Sequence, residues 1–426
     1  MCLSLVTGCC TSLSCNIFQK INSNLSNITR LYYGLMLLFS TFISIIMLSD
    51  MVSHEMKHFL SNYWFENFIN HPNIPKEVIG SLAVYRVMSG VFIFHFILSI
   101  LLINIKDTSD RRIILHDGRM CMKLMIYLLL ISSMFILPSE LFIYSSEWLF
   151  KLGGFIFILL QDIFMISFIY DSYDTILFIA NKEIQTISEE RKCIWTNWFM
   201  LSITLLSYLF SLIAYGFLIE NHTNKDGCFQ QVILSGIHVC LLIIVSLLSV
   251  SYYVRDAPNG SGYSNSIYQS SLITGYASYQ LLSAYVHHPN YDCHLFPSNH
   301  NYISSSVSIL FTFLAIIWSS ISSGSNRFSI QQQEPLLPLE SNEETIQYSY
   351  SQFHLMFSFA SLYIANVLTH WGDIDMLPGE GIEDPLKIGI QDSNISVWIK
   401  ITSSFFCYIF YLWVMLAPRL FPQRNF

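Results

Sequence analysis

Ten apolar stretches in this chain are each about long enough to cross a bilayer, and they constrain the fold more than any motif does. Leu31–Leu48, Phe199–Ile219, Val232–Val254 and Ile303–Ile321 carry no charge at all. The others are Ala83–Ile103, Met120–Leu137, Leu152–Ile169, Ile267–Val286, Tyr350–Leu368 and Val397–Leu416. About 20 apolar residues in a helix cover the roughly 30 Å hydrocarbon core. Lipid offers nothing to backbone N–H and C=O groups, so such segments must be helical. The expected class is an all-α polytopic membrane protein with ten transmembrane helices.

Composition agrees with that class. Hydrophobic residues make up 53% of the chain and charged residues 12%, about half the charged share usual in soluble domains. The net charge of −8 comes with no basic stripe for neutralising phosphates, so nucleic acid is not an expected partner. The first long apolar run starts at Leu31, behind a polar segment, and is too long for the core of a cleavable signal peptide.

Ten crossings place both termini on one side, and the cations choose it. With the N-terminus inside, the inner segments hold thirteen of the 21 Lys and Arg residues and the outer segments five, namely Lys57, Lys76, Lys151, Lys225 and Lys387. Positive charge collects on the cytosolic side of membrane proteins, so both termini are expected in the cytosol. The chain then divides into a Cys-containing N-terminal segment (1–30), helices one to eight (31–321), a mobile cytosolic loop (322–349), helices nine and ten (350–418) and a cytosolic tail (419–426). The membrane itself, plasma membrane or endomembrane (ER or Golgi), is not legible.

That topology sorts the cysteines and the sequons. Cys228 and Cys293 fall in two outer loops, where an oxidising compartment permits a bridge, and they are expected to pair. The alternative is two unrelated loop thiols. Cys9 and Cys10, with Cys2 and Cys15, lie on the cytosolic side without paired C-x-x-C units, which favours reversible acylation near the membrane over zinc. Of five sequons, Asn221 and Asn394 would face the lumen, and Asn221 is the glycosylation candidate. His287, His288, Asp292, Cys293, His294 and His300 crowd one outer loop, but in no metal-ligand spacing, so neither a metal nor another cofactor is expected. The acidic outer loop holding Asp373, Asp375, Glu380, Glu383, Asp384 and Asp392 reads as a solvated connection.

The fourth span is unusually long. No Pro or Gly interrupts Phe155 to Tyr215, and apolar character persists to Ile179. A helix from Trp148 to Ile179 would measure about 48 Å, so it must tilt strongly or project from the bilayer.

Charges inside spans are costly and mark function or internal pairing. Arg86 and Lys400 are expected within a turn of their helix starts and can snorkel; Lys123 lies near a cytosolic end, as a snorkelling stem or a headgroup-binding ammonium. Asp162 is mid-span. It reads either as a structural hydrogen bond or ion pair between helices, with Lys123 one candidate partner, or as part of a polar track for a lipid headgroup. Lys123, Gln161, Asp162, Ser167, Tyr170 and Asp171 are the candidate polar lipid path. A track is needed because a zwitterionic headgroup must not meet bare hydrocarbon. Ser270, Ser271, Thr274, Ser278 and Ser283, then Ser304–Ser306 and Ser308, suit close helix packing or a hydroxyl-lined path.

Several stretches together resemble one family, the serine incorporators (the TMS, tumour-differentially-expressed type). The C-terminal third is the most specific: Tyr348-Ser-Tyr-Ser-Gln-Phe-His354, Ala360-Ser-Leu-Tyr363, Leu368-Thr-His-Trp371, Val397-Trp-Ile-Lys400, Tyr411-Leu-Trp413, Ala417-Pro418 and Gln423-Arg-Asn-Phe426. Earlier matches are Thr29-Arg30-Leu31, Ala83-Val-Tyr-Arg86, Phe157-Ile-Leu-Leu-Gln161 and Ala257-Pro-Asn-Gly-Ser-Gly262. The resemblance implies two bundles joined by a long oblique fourth helix. It also implies a link to phosphatidylserine and sphingolipid synthesis, and scramblase-like movement of phospholipids without ATP. In the fourth helix Ser167 stands where relatives often carry an aspartate, and Tyr170 where they carry a histidine.

The expected partners are therefore membrane phospholipids, sphingolipids and lipid-biosynthetic enzymes, with a homo-oligomer left open. An enzyme is not expected. Asp117-Gly118-Arg119 begins like a CDP-alcohol phosphotransferase motif, but Met120-Cys121-Met122 breaks it, and no phosphate loop or nucleophile elbow occurs. The alternative function is a carrier or scaffold that delivers serine to biosynthetic enzymes.

Overall fold

A computed structural model describes residues 25–56, 75–105, 110–182, 190–223, 225, 227–255, 266–286, 288, 293, 301–322, 349–377, 387–391 and 393–421. Cys9, Cys10 and nearly all of the 322–349 loop lie outside the described residues. The described residues fall into two units, one from 1–157 and 308–391, the other from 158–307 and 392–426.

Helices dominate both units, as an apolar chain without backbone partners in lipid requires. In the first unit, α1 (Leu25–Met47), α2 (Lys76–Leu101), α4 (Met120–Met134) and α12 (Tyr350–Leu368) gather around α2, which packs most extensively on α12. A short helix, α3 (Ile114–Asp117), precedes α4. In the second unit, α7 (Glu190–Thr223), α8 (Phe229–Val250), α10 (Ile267–Val286) and α13 (Asn394–Leu420) gather around α10. Its core joins Tyr215 and Leu218, Leu242, Leu281 and Tyr285, and Val397 and Ile401. A one-turn helix, α9 (Tyr252–Arg255), follows α8, and α11 spans Asn301–Ser322.

The expected long helix is present and longer than its apolar run. α5 (Ser139–Ser145) continues through a π-helical stretch (Ser146–Phe150) into α6 (Lys151–Lys182). Together they supply a 39-residue apolar helical segment, Ser139–Leu177.

Among the described residues six helical segments are long and apolar enough to cross a membrane, and two shorter apolar helices, Met120–Met134 and Ser305–Trp318, accompany them. α10 and α12 do not reach that hydropathy, for a physical reason. Nearly every side chain of both is buried by protein, including Gln269, Ser270, Ser271, Thr274, Ser278 and Gln280 of α10. A helix wrapped by neighbours needs no lipid-compatible surface, and its small hydroxyl residues let backbones approach closely.

The acidic connection after α12 is not loop throughout. It contains an antiparallel hairpin, β1 (Asp373–Leu377) with β2 (Lys387–Gln391), pairing Asp373 with Gln391 and Leu377 with Lys387. Lys151 forms an ion pair with Asp373. The turn between α12 and β1 places His370 and Trp371 at φ of 55° and 61°, a left-handed backbone disfavoured for such side chains. Trp371 N–H donating to Asn366 C=O at 2.7 Å and burial of the indole hold it there.

Gly90 marks the closest approach of α2 and α4: a Cβ there would stand 2.7 Å from Ile131 Cα, whereas one at Gly236 meets nothing within 4 Å. Gly90→Ala should cost about 1–3 kcal/mol through overpacking and lower the unfolding temperature in detergent. Gly236→Ala, which gains helix propensity without a clash, should leave that temperature unchanged or higher. Equal effects of the two substitutions would contradict the α2–α4 contact.

Candidate functional site

In the second unit the mid-span polar residues form a network buried against three helices. Asp162 on α6 is fully buried; its Oδ1 accepts from Gln280 Nε2 of α10 at 2.6 Å, and its Oδ2 accepts from Ser403 Oγ of α13 at 3.0 Å. Gln161 donates through Nε2 to Tyr276 Oη at 3.0 Å. Gln161 Oε1 is buried and has no hydrogen-bond partner among the described residues. One turn along α13, Lys400 Nζ donates to the carbonyl and hydroxyl of Ser283, each at 3.2 Å. The result is a line of amide, hydroxyl, carboxylate and ammonium groups along the α6–α10–α13 seam. Buried polar groups must be paired in this way because a lone one costs several kcal/mol in hydrocarbon.

The other candidates on α6 lie further along it. Tyr170 is buried, 6.2 Å from the Tyr411 ring centre, while Ser167 and Asp171 are half-buried. Lys123 belongs to the first unit. Its ammonium donates to His116 C=O at 2.5 Å and sits 5.3 Å above the Tyr33 ring. Lys123 and Asp162 thus each have other partners, and the ion pair considered between them is not among the salt bridges of the described residues.

Arg86 and Lys400 lie further from their helix starts than their apolar runs suggest, because α2 begins at Lys76 and α13 at Asn394. Arg86 is fully buried. It donates to Leu137 C=O at 3.2 Å and Ser139 Oγ at 3.1 Å, and lies 4.6 Å from the centre of the Phe142 ring. Leu137 and Ser139 flank Pro138 in the connection between α4 and α5, so the guanidinium ties α2 to that connection.

At the opposite end of the second unit, Cys228 and Cys293 form the expected disulfide, with Cα atoms 5.6 Å apart. His222 Nε2 lies 3.0 Å from Cys293 O. Beside the bridge is a cavity of about 220 Å³ lined by Gln230, Gln231, Tyr285, His288, Asn394 and Trp398 among others. Gln231 Oε1 is buried there without a partner among the described residues. The cavity, Gln280 and Ser403 escaped the sequence reading because their lining residues are far apart in the chain. Asn221 closes α7 in helical conformation, its Nδ2 donating to Phe217 C=O at 2.9 Å.

The pairing around Asp162 sets its substitutional tolerance. Asp162→Asn keeps an acceptor for Gln280 and should unfold within a few degrees of the parent. Asp162→Leu strands the Gln280 and Ser403 donors and should cost about 1–3 kcal/mol, read as a lower melting temperature in detergent. If Leu and Asn behave alike, the network does not hold the seam.

Comparison with known proteins places the chain. The serine incorporator (Serinc) family profile matches residues 3–336 and 331–424. The chain is 25% identical to bovine serine incorporator 3 over 486 residues, covering 99% of this chain and 98% of that protein. It is 25% identical to zebrafish serine incorporator 5 over 477 residues, covering 99% and 98%. A probable serine incorporator of Nematostella vectensis shares 25% identity over 465 residues, covering 97% and 94%. By a profile match that runs almost from end to end, this chain belongs to the serine incorporator family.

Proposed function

We propose that the protein moves phospholipids between leaflets without ATP or covalent chemistry, and through that movement serves phosphatidylserine and sphingolipid metabolism. In this reading it is not an enzyme. The chain crosses the membrane ten times with both termini cytosolic, and the two units are bundles tied by the long oblique helix. The supporting observation is the α6–α10–α13 seam, a line of polar groups through the apolar body of the second unit. Gln161 Oε1 within it is a buried acceptor that a headgroup ammonium or hydroxyl could satisfy. The seam is closed around Asp162, so headgroup passage requires Gln280 and Ser403 to exchange Asp162 for the headgroup.

The second reading, a serine carrier, draws support from the cavity beside the disulfide. Its volume of about 220 Å³ is below that of drug-sized ligand sites, and its polar lining of Gln230, Gln231, Tyr285, His288 and Asn394 offers hydrogen-bond partners for a small amino acid.

Purified protein in liposomes separates the readings. Fluorescent-lipid flipping without serine uptake supports the scramblase, serine uptake supports the carrier, and neither supports a scaffold for biosynthetic enzymes. Asp162→Leu should lower the flipping rate, with Asp162→Asn as the folding control. An unchanged rate from well-folded Asp162→Leu protein would remove this carboxylate from the path.

A further inference from the structure

Three histidines of the first unit, remote in sequence, form one hydrogen-bonded line. His95 Nδ1 on α2 lies 3.0 Å from His354 Nδ1 on α12, and His354 Nε2 lies 3.0 Å from His116 Nδ1 on α3. All three are fully buried. His116 Nε2 faces Asp117 Oδ1 at 3.8 Å, a gap that must close before a proton can cross; that oxygen is buried with no hydrogen-bond partner among the described residues, while the Asp117 side chain as a whole retains 18% exposure. At the other end His95 Nε2 is buried with no hydrogen-bond partner among the described residues. Because His354 uses both ring nitrogens in line, the three rings do not converge on a metal position.

We propose that Asp117, His116, His354 and His95 form a proton relay from the cytosol-facing rim into the interior of the first unit. A neutral imidazole has one N–H and one acceptor, so the two links fix all three tautomers together. With Asp117 ionised, His116 Nε2–H points at the carboxylate. His354 Nε2–H then donates to His116 and His95 Nδ1–H to His354, which leaves a lone pair at His95 Nε2. With Asp117 protonated every bond reverses, and His95 carries Nε2–H.

One passage balances as follows. The Asp117 carboxyl gives its proton to His116 Nε2, and His116 Nδ1–H passes to His354 Nε2. His354 Nδ1–H passes to His95 Nδ1, and His95 Nε2–H leaves to a water molecule. Passage in the opposite sense, with a proton taken up from water at His95 Nε2 and one handed from His116 Nε2 to the Asp117 carboxylate, restores the starting tautomers, and no ring holds a net charge at either end state.

The surroundings favour neutral rings. Burial, then Lys123, Arg30 and His95, push the His116 imidazole down to about 3. Burial raises the Asp117 carboxyl, against Thr29, Tyr350, Lys123 and Arg30, which lower it. Tyr350 Oη donates to Asp117 Oδ2 at 3.4 Å and its ring stacks on His116. Tyr33 packs against all three imidazoles, and Tyr127 against His95. Dedicating three buried imidazoles to one another, where apolar side chains would pack at less cost, is accounted for by proton transfer.

The test is nitrogen NMR of the full chain in liposomes, labelled with ¹⁵N-histidine and assigned by single His→Gln variants. Lowering the pH should switch His95, His116 and His354 together, with His95 moving from Nδ1–H to Nε2–H. Asp117→Asn should abolish the switch. His354→Gln should leave His116 responsive and His95 unresponsive. The proposal is overturned if the wild-type rings keep fixed tautomers as Asp117 titrates, or if His95 still switches in either variant. The wild-type pH series decides alone should a variant not fold, and none of these readouts depends on lipid movement.

Discussion

Hydrocarbon supplies no hydrogen-bond partner, and every polar group carried into a span must therefore find one in the protein. This requirement accounts for what the described residues do with their intramembrane charges. Arg86 binds the connection between α4 and α5, Lys400 binds the Ser283 carbonyl, and Asp162 gathers Gln280 and Ser403. Each contact ties together helices that share no sequence neighbourhood. The penalty for an unpaired group at such depth makes these contacts determinants of register and packing partner rather than mere attractions.

The same requirement divides the helices into two kinds. α7 and α8 expose Leu205, Leu206, Ile213, Ile243 and Leu247 and are strongly apolar. α10 and α12 are nearly enclosed, and they carry the hydroxyl, amide and imidazole groups. On the less enclosed α6 and α13, Gln161, Asp162, Lys400 and Ser403 are buried too, on the faces turned toward α10.

Much of this was legible in the sequence, and the gaps have physical causes. Apolar run length located the helices, and the absence of Pro and Gly after Phe155 foretold the long α6. Topology paired Cys228 with Cys293 before any geometry was known. The apolar runs around Arg86 and Lys400 begin several residues after the helices themselves, which start at Lys76 and Asn394. The hairpin was missed although Asp373-Ile-Asp-Met376 alternates with period two, since its acidity suggested open solvent. The histidine line had no local signal: attention fell on the dense outer cluster around His287–His300, while His95, His116 and His354 meet only through folding.

Ser403, with its neighbours on the α6–α10–α13 seam, is buried by protein, while another face of α13 is exposed at Ile409. Cysteine reactivity toward a bilayer-soluble maleimide tests this directly, in a background whose native free cysteines are serine. Ile409→Cys, at a position 54% exposed, should react readily, and Ser403→Cys should react far more slowly. Equal rates at the two positions would show that the seam does not exist as described.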